Sequence, residues 1–216
     1  MFIGHYSAAF MAAAHPKAPR LGTLMIGAQL VDIAFFSFTF TGWEAMRITP
    51  RTTVMNPLDL YHMPITHSLL GSTLWAILFA LVIRAVTRDR IAALLGGAVV
   101  LSHWFLDLLV HAPDLTLAGS PPKLGLGLWN HPMFEMPLEI ALVLGSAALF
   151  ARSKKPPRQP LFILLGALLV VQAYNWFGPV PSAMDASLPL SALLGFALVA
   201  WLAYRVQRNR SEGIIS

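Results

Sequence analysis

Long apolar segments separated by short polar connections run along most of the chain. The segments cover residues 22–41, 64–86, 91–112, 132–151, 160–178 and 187–205, and a shorter apolar stretch occupies residues 1–14. A helix needs about 20 predominantly apolar residues to cross a bilayer, and only helices or closed barrels satisfy their backbone groups there. The pattern therefore predicts an all-α, polytopic transmembrane bundle of about six to seven segments, the larger number if residues 1–14 also cross.

Composition excludes a soluble domain and restricts the available chemistry. Hydrophobic residues make up 56% of the 216 residues, charged residues only 12%, and the mean hydropathy is +0.65. The chain has no cysteine, so any metal ion must be held by His, Asp and Glu. Because no internal repeat or low-complexity tail divides the chain, we expect a single integral-membrane domain over residues 1–216.

Basic residues concentrate in the connections on one side of the predicted bundle. Of the 15 lysines and arginines, all lie on that side except Arg47, Arg51 and Lys123. The group comprises Lys17, Arg20, Arg84, Arg88, Arg90, Arg152, Lys154, Lys155, Arg158, Arg205, Arg208 and Arg210. Cytoplasmic loops carry such an excess, which predicts a cytoplasmic-membrane protein with its N-terminus outside and its C-terminus inside. The same bias explains the pI near 10.0 without a nucleic-acid partner.

Histidines and acids gather toward the opposite, outer side. The embedded or adjoining acids are Asp32, Asp107, Glu135 and Glu139. An ionised carboxylate near the bilayer centre costs roughly 2.5–3.5 kcal/mol, and the spans contain no Lys or Arg to offset it. Structural zinc sites supply about 10–16 kcal/mol, so a divalent ion is the expected partner. Protonated carboxyl groups hydrogen-bonded to imidazoles are the alternative.

Three stretches carry these polar side chains close together. They are SHWFLDLLVH (102–111), WNHPMFEMPLE (129–139) and HMPITHS (62–68). Positions i, i+4 and i+8 lie above one another on a helix face, so the first two stretches each present three polar groups in one direction. We predict a metal site near the outer face, with a polar network between helices as the alternative. The candidate ligands are His5, Asp32, His67, His103, Asp107, His111, His131 and Glu135.

The order of these residues resembles the ligand order of the zinc-dependent phospholipase C superfamily, which also contains single-strand-specific nucleases. The HxxxxHS element and the hydrophobic background are similar to its membrane-embedded branch, the membrane-bound metal-dependent hydrolases. The resemblance covers residues 1–140 as a metal-site core and leaves out two additional C-terminal spans within residues 160–205. It implies an all-helical fold with about two or three clustered zinc ions near its helix ends.

The resemblance also implies how the ligands divide among those ions. One ion would be held by Asp32, His67, His103 and Asp107. A second would be held by His111, His131 and Glu135. Asp107 would also bridge toward a third position, near His5.

Clustered divalent ions suit phosphoester hydrolysis, because they activate water and neutralise charge on the leaving group. The site opens toward the outer headgroup layer, so the expected substrate is a lipid-linked or phospholipid-like phosphoester in the bilayer. We expect Asp32 to be the general base, with Glu139 as the alternative. Residues expected to contact substrate or to lie behind the ligands are His62, Ser68, Arg47, Arg51 and Lys123. A divalent-metal transporter and a metal-stabilised scaffold without chemistry are the alternative functions.

Overall fold

The computed structural model describes residues 1–179 and 185–208, so Arg210 of the basic group lies outside the described residues. The helices are α1 (Tyr6–Ala13), α2 (Leu21–Ala28), α3 (Leu30–Thr41), α4 (Leu69–Thr87), α5 (Arg90–Val110), α6 (Pro132–Lys154), α7 (Arg158–Phe177) and α8 (Ser187–Arg208). Short 3-10 turns occupy Ile3–His5 and Leu128–Asn130. The strands are β1 (Ala45–Ile48), β2 (Leu58–His62), β3 (Leu115–Thr116) and β4 (Lys123–Leu124).

The predicted all-α membrane bundle is confirmed. The 5 helices α4 to α8 are long and apolar enough to cross a bilayer, and α2 with α3 forms a further candidate span bent by 52°. The stretch 1–14 contributes only a 3-10 turn and the 8-residue α1. At about 1.5 Å per residue, α1 is too short to cross. The described chain therefore has 5 candidate spans, or 6 if the bent pair is counted as one, and 6 is the lower of the two expected numbers.

Helix α1 forms part of the protein core. Ala9 and Phe10 are fully buried in the largest apolar cluster, which also takes side chains from α2, α6, α7 and α8. Its main helix contacts are with α6 on one side and α2 on the other. The N-terminal segment consequently lies inside the bundle, with the C-terminal spans packed around it.

The predicted span at residues 22–41 is interrupted at Gln29. This residue separates α2 from α3 and has φ −108° and ψ 8°. Its buried side chain donates a hydrogen bond from Nε2 to the Phe2 carbonyl oxygen at 3.1 Å. Irregular backbone at membrane depth is tolerated where protein covers it. The interruption frees the Ala28 carbonyl for a side-chain partner and places Asp32 in the first turn of α3.

Two short hairpins cover the end of the bundle where the candidate ligands lie. Residues 42–63, expected to be a polar connection, contain the antiparallel pair β1 and β2. After α5, β3 pairs with β4. Met46 and Leu60 of the first hairpin are buried and belong to one apolar cluster with Trp104 of α5. These connections therefore form a packed cap over the ends of α3, α4 and α5.

Candidate metal centre

Asp107, near the end of α5, lies at the centre of a buried group of polar side chains. His103 precedes it by one helical turn, and His111 is the C-terminal cap residue one turn later. The exposed fractions are 0% for His103, 1% for Asp107 and 3% for His111. The three residues come together as their spacing indicates.

The two carboxylate oxygens of Asp107 face different partners. Oδ2 lies 3.0 Å from His103 Nε2 and 3.6 Å from His67 Nε2. Oδ1 lies 3.0 Å from His5 Nε2 and 3.4 Å from His111 Nε2. The α-amino group of Met1 also donates a hydrogen bond to Oδ1 at 2.8 Å. One carboxylate therefore joins two adjacent polar groups.

Asp32 completes the group on the Oδ2 side. Its Oδ1 lies 3.3 Å from His67 Nε2 and 3.5 Å from His103 Nε2. Two ligands of a tetrahedral zinc ion, each at about 2.0–2.1 Å from the metal, are roughly 3.3–3.4 Å apart. The observed separations are close to that value. Two sets of ligand atoms are therefore close enough to hold a divalent ion: Asp32, His67 and His103, and His5, His103 and Asp107.

Hydrogen bonds at Nδ1 orient two of the imidazoles directly. His103 Nδ1 lies 2.8 Å from the Ala28 carbonyl oxygen, which the interruption at Gln29 leaves free. Because a carbonyl can only accept, this nitrogen is the donor, and the neutral ring keeps its lone pair on Nε2. His111 Nδ1 lies 2.9 Å from Asp114 Oδ1, an arrangement that orients metal-binding histidines in many proteins.

His67 is oriented through a chain of two residues. Glu44, which is fully buried, accepts hydrogen bonds from the backbone N–H groups of Ile65 at 2.8 Å and Thr66 at 2.9 Å. It also accepts the Thr66 hydroxyl proton at 2.6 Å. The Thr66 oxygen is then left to accept from His67 Nδ1 at 2.8 Å. Glu44 thereby sets the His67 tautomer and directs its Nε2 toward Asp32 and Asp107.

Imidazole lone pairs that face carboxylates at these distances require a positive charge between them. A divalent ion supplies that charge, and so do protons on the rings, which are the two alternatives raised by the sequence. Burial lowers the pKa of His111, but the charges of Asp107 and Asp114 raise it to about 9. His111 would therefore carry a proton at neutral pH if no metal ion were bound. Whether the positive charge comes from a metal ion or from protons on the rings, it lies buried between carboxylate groups.

His5 contacts the group by ring stacking, and Glu135 lies on the helix that packs beside the turn carrying His5. The His5 ring stacks on the His103 ring, with centroids 3.7 Å apart and planes at 3°. Glu135 is fully buried beside Glu139, and within the described residues no N–H or hydroxyl group donates a hydrogen bond to either of its carboxylate oxygens. Its helix, α6, packs on the Ile3–His5 turn. A buried acid without a partner is costly, so Glu135 is suited to a cationic ligand.

Glu139, one turn further along α6, is engaged elsewhere. Its Oε1 accepts hydrogen bonds from the backbone N–H groups of Phe2 at 2.7 Å and Gly4 at 2.8 Å. Its Oε2 accepts from Gln172 Nε2 of α7 at 2.7 Å. The expected role as an alternative general base requires a free oxygen, and these contacts instead anchor the N-terminal segment.

Two expected site histidines are not part of the buried group. His131 is exposed as the N-terminal cap residue of α6. Pro132 begins the helix, so His131 has non-helical backbone angles and does not share a helix face with Glu135. His62 is exposed at the end of β2.

The other expected substrate contacts lie in the hairpin cap and the loops beside it. Arg47 pairs with Asp59 at 2.7 Å, and Lys123 Nζ donates to a backbone carbonyl at 3.1 Å. Arg51 is exposed. Ser68 caps α4 by accepting from the Gly71 N–H at 3.0 Å. A Cβ at Gly71 would lie 1.9 Å from the Ile65 carbonyl oxygen, so this turn, which carries His67, requires glycine there.

The sequence interpretation missed the residues that orient the imidazoles. Asp114 follows His111 by three positions, a short spacing that could have identified it. No short sequence pattern could identify Glu44 and Thr66, because they are 22 residues apart along the chain. Only the folded hairpin brings them together.

For a zinc ion held at this candidate centre, Thr66→Val should weaken binding by about 10- to 100-fold, because His67 would lose the acceptor that orients it. A competition titration of purified protein against a zinc chelator measures this. Thr66→Ser should restore most of the affinity. Thr73→Val removes a hydroxyl that bonds to a helix carbonyl at 2.7 Å and is the matched control. Equal affinity in Thr66→Val and wild type would contradict the orienting role.

A family model described as "YdjM inner membrane protein" matches residues 1–178, which include the whole candidate centre and the helices up to α7. No curated protein and no solved structure matches the chain. The identification with the phospholipase C and nuclease superfamily and its membrane-bound branch is therefore wrong. The resemblance rested on a few His and Asp residues spaced one helical turn apart. Such a short pattern also arises on buried polar helix faces in unrelated families. The chain belongs to the YdjM inner membrane protein family.

Proposed function

We propose that this protein is a membrane-embedded, metal-dependent hydrolase of phosphoesters. The observation that carries the proposal is the pair of buried groups joined by Asp107, in which imidazole Nε2 atoms and carboxylate oxygens lie 3.0–3.6 Å apart. Hydrogen bonds behind His67, His103 and His111 hold their ring orientations. Such preorganisation is typical of metal sites.

Zinc is the ion that we infer for this centre. The ligands are nitrogen and oxygen atoms, and their spacing suits tetrahedral coordination at about 2.0–2.1 Å. We assign one ion to the Oδ2 side of Asp107 with Asp32, His67 and His103. We assign a second to the Oδ1 side with His5 and His111, and Glu135 is an additional candidate ligand there.

Clustered ions of this kind lower the pKa of bound water and bind phosphoryl oxygens. Within the chain, Asp32 is the residue suited to accept the proton from that water. Its side chain is 17% exposed, whereas that of Asp107 is 2% exposed, so water reaches Asp32 more readily. Glu139 is less suited, because both of its oxygens already accept hydrogen bonds.

A cavity next to the Trp129 loop, lined by none of the candidate ligands, suits an amphiphilic substrate. The Trp129 ring lies 4.3 Å from the His111 ring, and the next residue, Asn130, lines a cavity of about 640 Å³. Arg51 contributes a positive charge to this cavity, and Phe177 contributes an apolar wall. A lipid-linked phosphoester has both an anionic group and an apolar chain. We therefore favour it over a small polar metabolite.

The centre faces the extracytoplasmic side in this proposal, because most of the cations lie at the other ends of the spans. A chain without cysteine allows a direct test. We expect Ser120→Cys to react with a membrane-impermeant maleimide on intact cells, and Ser153→Cys to react only after lysis. Both serines are exposed. The reverse labelling would place the centre in the cytoplasm.

Purified protein should retain about two equivalents of zinc. His103→Ala should lose the ion assigned to the Oδ2 side, about half of the metal, since His103 Nε2 is a ligand of that ion in our assignment. The exposed His131 gives a control at the same end of the bundle, and His131→Ala should keep its metal. Elemental analysis after dialysis against a weak chelator measures the content. Metal-free wild-type protein would favour the protonated network instead.

Zinc-loaded protein should hydrolyse a member of a panel of phosphomonoesters and phosphodiesters presented in detergent micelles. Asp32→Asn should lower kcat by at least about 100-fold, the lower range for loss of a general base. Asp59→Asn, which alters a half-buried carboxylate paired with Arg47, should leave kcat unchanged. Bound metal without turnover across the panel would favour a scaffold, and zinc flux into proteoliposomes would favour a transporter.

A further inference from the structure

A second cleft lies at the opposite end of α6, where this helix is followed by α7. The connection between them is only three residues long, from Lys155 to Pro157. The cavity has a volume of about 560 Å³ and is lined at its polar end by Arg152, Lys155 and Arg158. We propose that this cleft binds the headgroup and upper acyl chains of an anionic phospholipid.

The helices that form the cleft are not packed tightly on each other. Helix α6 makes its main helix contacts with α1, and α7 makes its main contacts with α8. The walls between them are aliphatic and aromatic, and Leu144 and Phe162 are 41% and 67% exposed. These side chains face the hydrocarbon of the bilayer in a spanning helix. The cleft therefore opens sideways to lipid as well as toward the water at its basic end.

The three cations of the cleft lack acidic partners in the described chain. Lys17 pairs with Asp89 at 3.6 Å, and Arg47 pairs with Asp59 at 2.7 Å. No carboxylate within residues 1–179 and 185–208 lies within ion-pair distance of Arg152, Lys155 or Arg158. Close like charges repel, so an anion between them lowers the energy of the folded protein.

The beginning of α7 adds hydrogen-bond donors to the same place. Its cap residue is Pro157, no side chain accepts from the first turn, and that turn has no acidic residue. The backbone N–H groups of Arg158 and Gln159 are therefore available to a phosphate oxygen, and the helix dipole favours negative charge there. Guanidinium groups bind phosphate in a bidentate manner. The polar end of the cleft thus suits a phosphodiester headgroup.

An anionic lipid explains both halves of the cleft. A free phosphate ion would satisfy the cations and leave the apolar walls unused, whereas a zwitterionic lipid would add a positive group beside three cations. Basic pockets between membrane helices on the cytoplasmic side are a known form of anionic lipid site. Arg152 lies 17 positions after Glu135 on α6, about 25 Å along the helix. The lipid site is therefore separate from the metal centre, and either proposal can fail alone.

Titration of the detergent-purified full chain with phosphatidylglycerol, followed by native mass spectrometry, tests the proposal. We expect a saturable single lipid adduct with phosphatidylglycerol, and adducts at least about tenfold weaker with phosphatidylcholine. Arg152→Gln combined with Arg158→Gln should weaken phosphatidylglycerol binding by at least about tenfold. Arg84→Gln combined with Arg90→Gln removes the same charge from the basic turn between α4 and α5 and should change binding less than about twofold.

A second pair of variants tests the apolar walls without changing charge. Ala148 is exposed and lines the cleft, so Ala148→Phe should fill it and weaken lipid binding by about tenfold. Ala141 is exposed seven residues earlier on α6, outside the cleft lining, and Ala141→Phe should leave binding unchanged. An unaltered thermal unfolding temperature shows that each variant is folded.

Three results would overturn the proposal. The first is equal loss of binding in the two arginine double variants, which would mean general electrostatic attraction. The second is equal binding of phosphatidylcholine. The third is displacement of the lipid by millimolar inorganic phosphate or glycerol phosphate, which would mean an anion site that does not use the apolar walls.

Discussion

The structure depends on one buried carboxylate. Asp107 is almost fully enclosed, and an isolated ionised carboxylate in that position would cost several kcal/mol. Its two oxygens are compensated by groups from the N-terminal turn, from the start of α4 and from α5 itself. Because each compensating imidazole is in turn held by another residue, the arrangement extends outward to Glu44, Asp114 and the Ala28 carbonyl. The two hairpins and the short first helix are the elements that bring these groups within reach.

The break between α2 and α3 at Gln29 provides two polar groups to the candidate metal centre. A continuous span would have used the Ala28 carbonyl in its own hydrogen-bond ladder. The interruption instead supplies that carbonyl to His103 and places Asp32 at the positive end of the α3 dipole, where a carboxylate is favoured. Protein covers the exposed backbone through Gln29 and Phe2. The same two residues therefore link the kink to the buried N-terminal segment.

Helical periodicity correctly predicted the features that depend on one helix alone. It failed for residues whose positions depend on contacts between separate segments of the chain. The spans and the inward face of His103, Asp107 and His111 follow from spacing alone. The gathering of Asp32 and His67 around them followed from the cost of isolated embedded acids. His131 has the same spacing to Glu135, yet Pro132 starts the helix after it and turns its side chain to solvent. Glu44 could not be predicted, because its partner Thr66 reaches it only through the folded hairpin.

The anchoring of the N-terminal turn has a consequence for biosynthesis. Phe2 and Gly4 are bound by Glu139, and Ile3 is bound by Gln172, which lie 137 and 169 positions later in the chain. Residues 2–4 thus find their partners only after α6 and α7 have been synthesised. Until then His5 has no fixed position beside Asp107, and the enclosed centre cannot form. Closure of the site consequently requires that α6 and α7 have already been inserted beside the N-terminal turn.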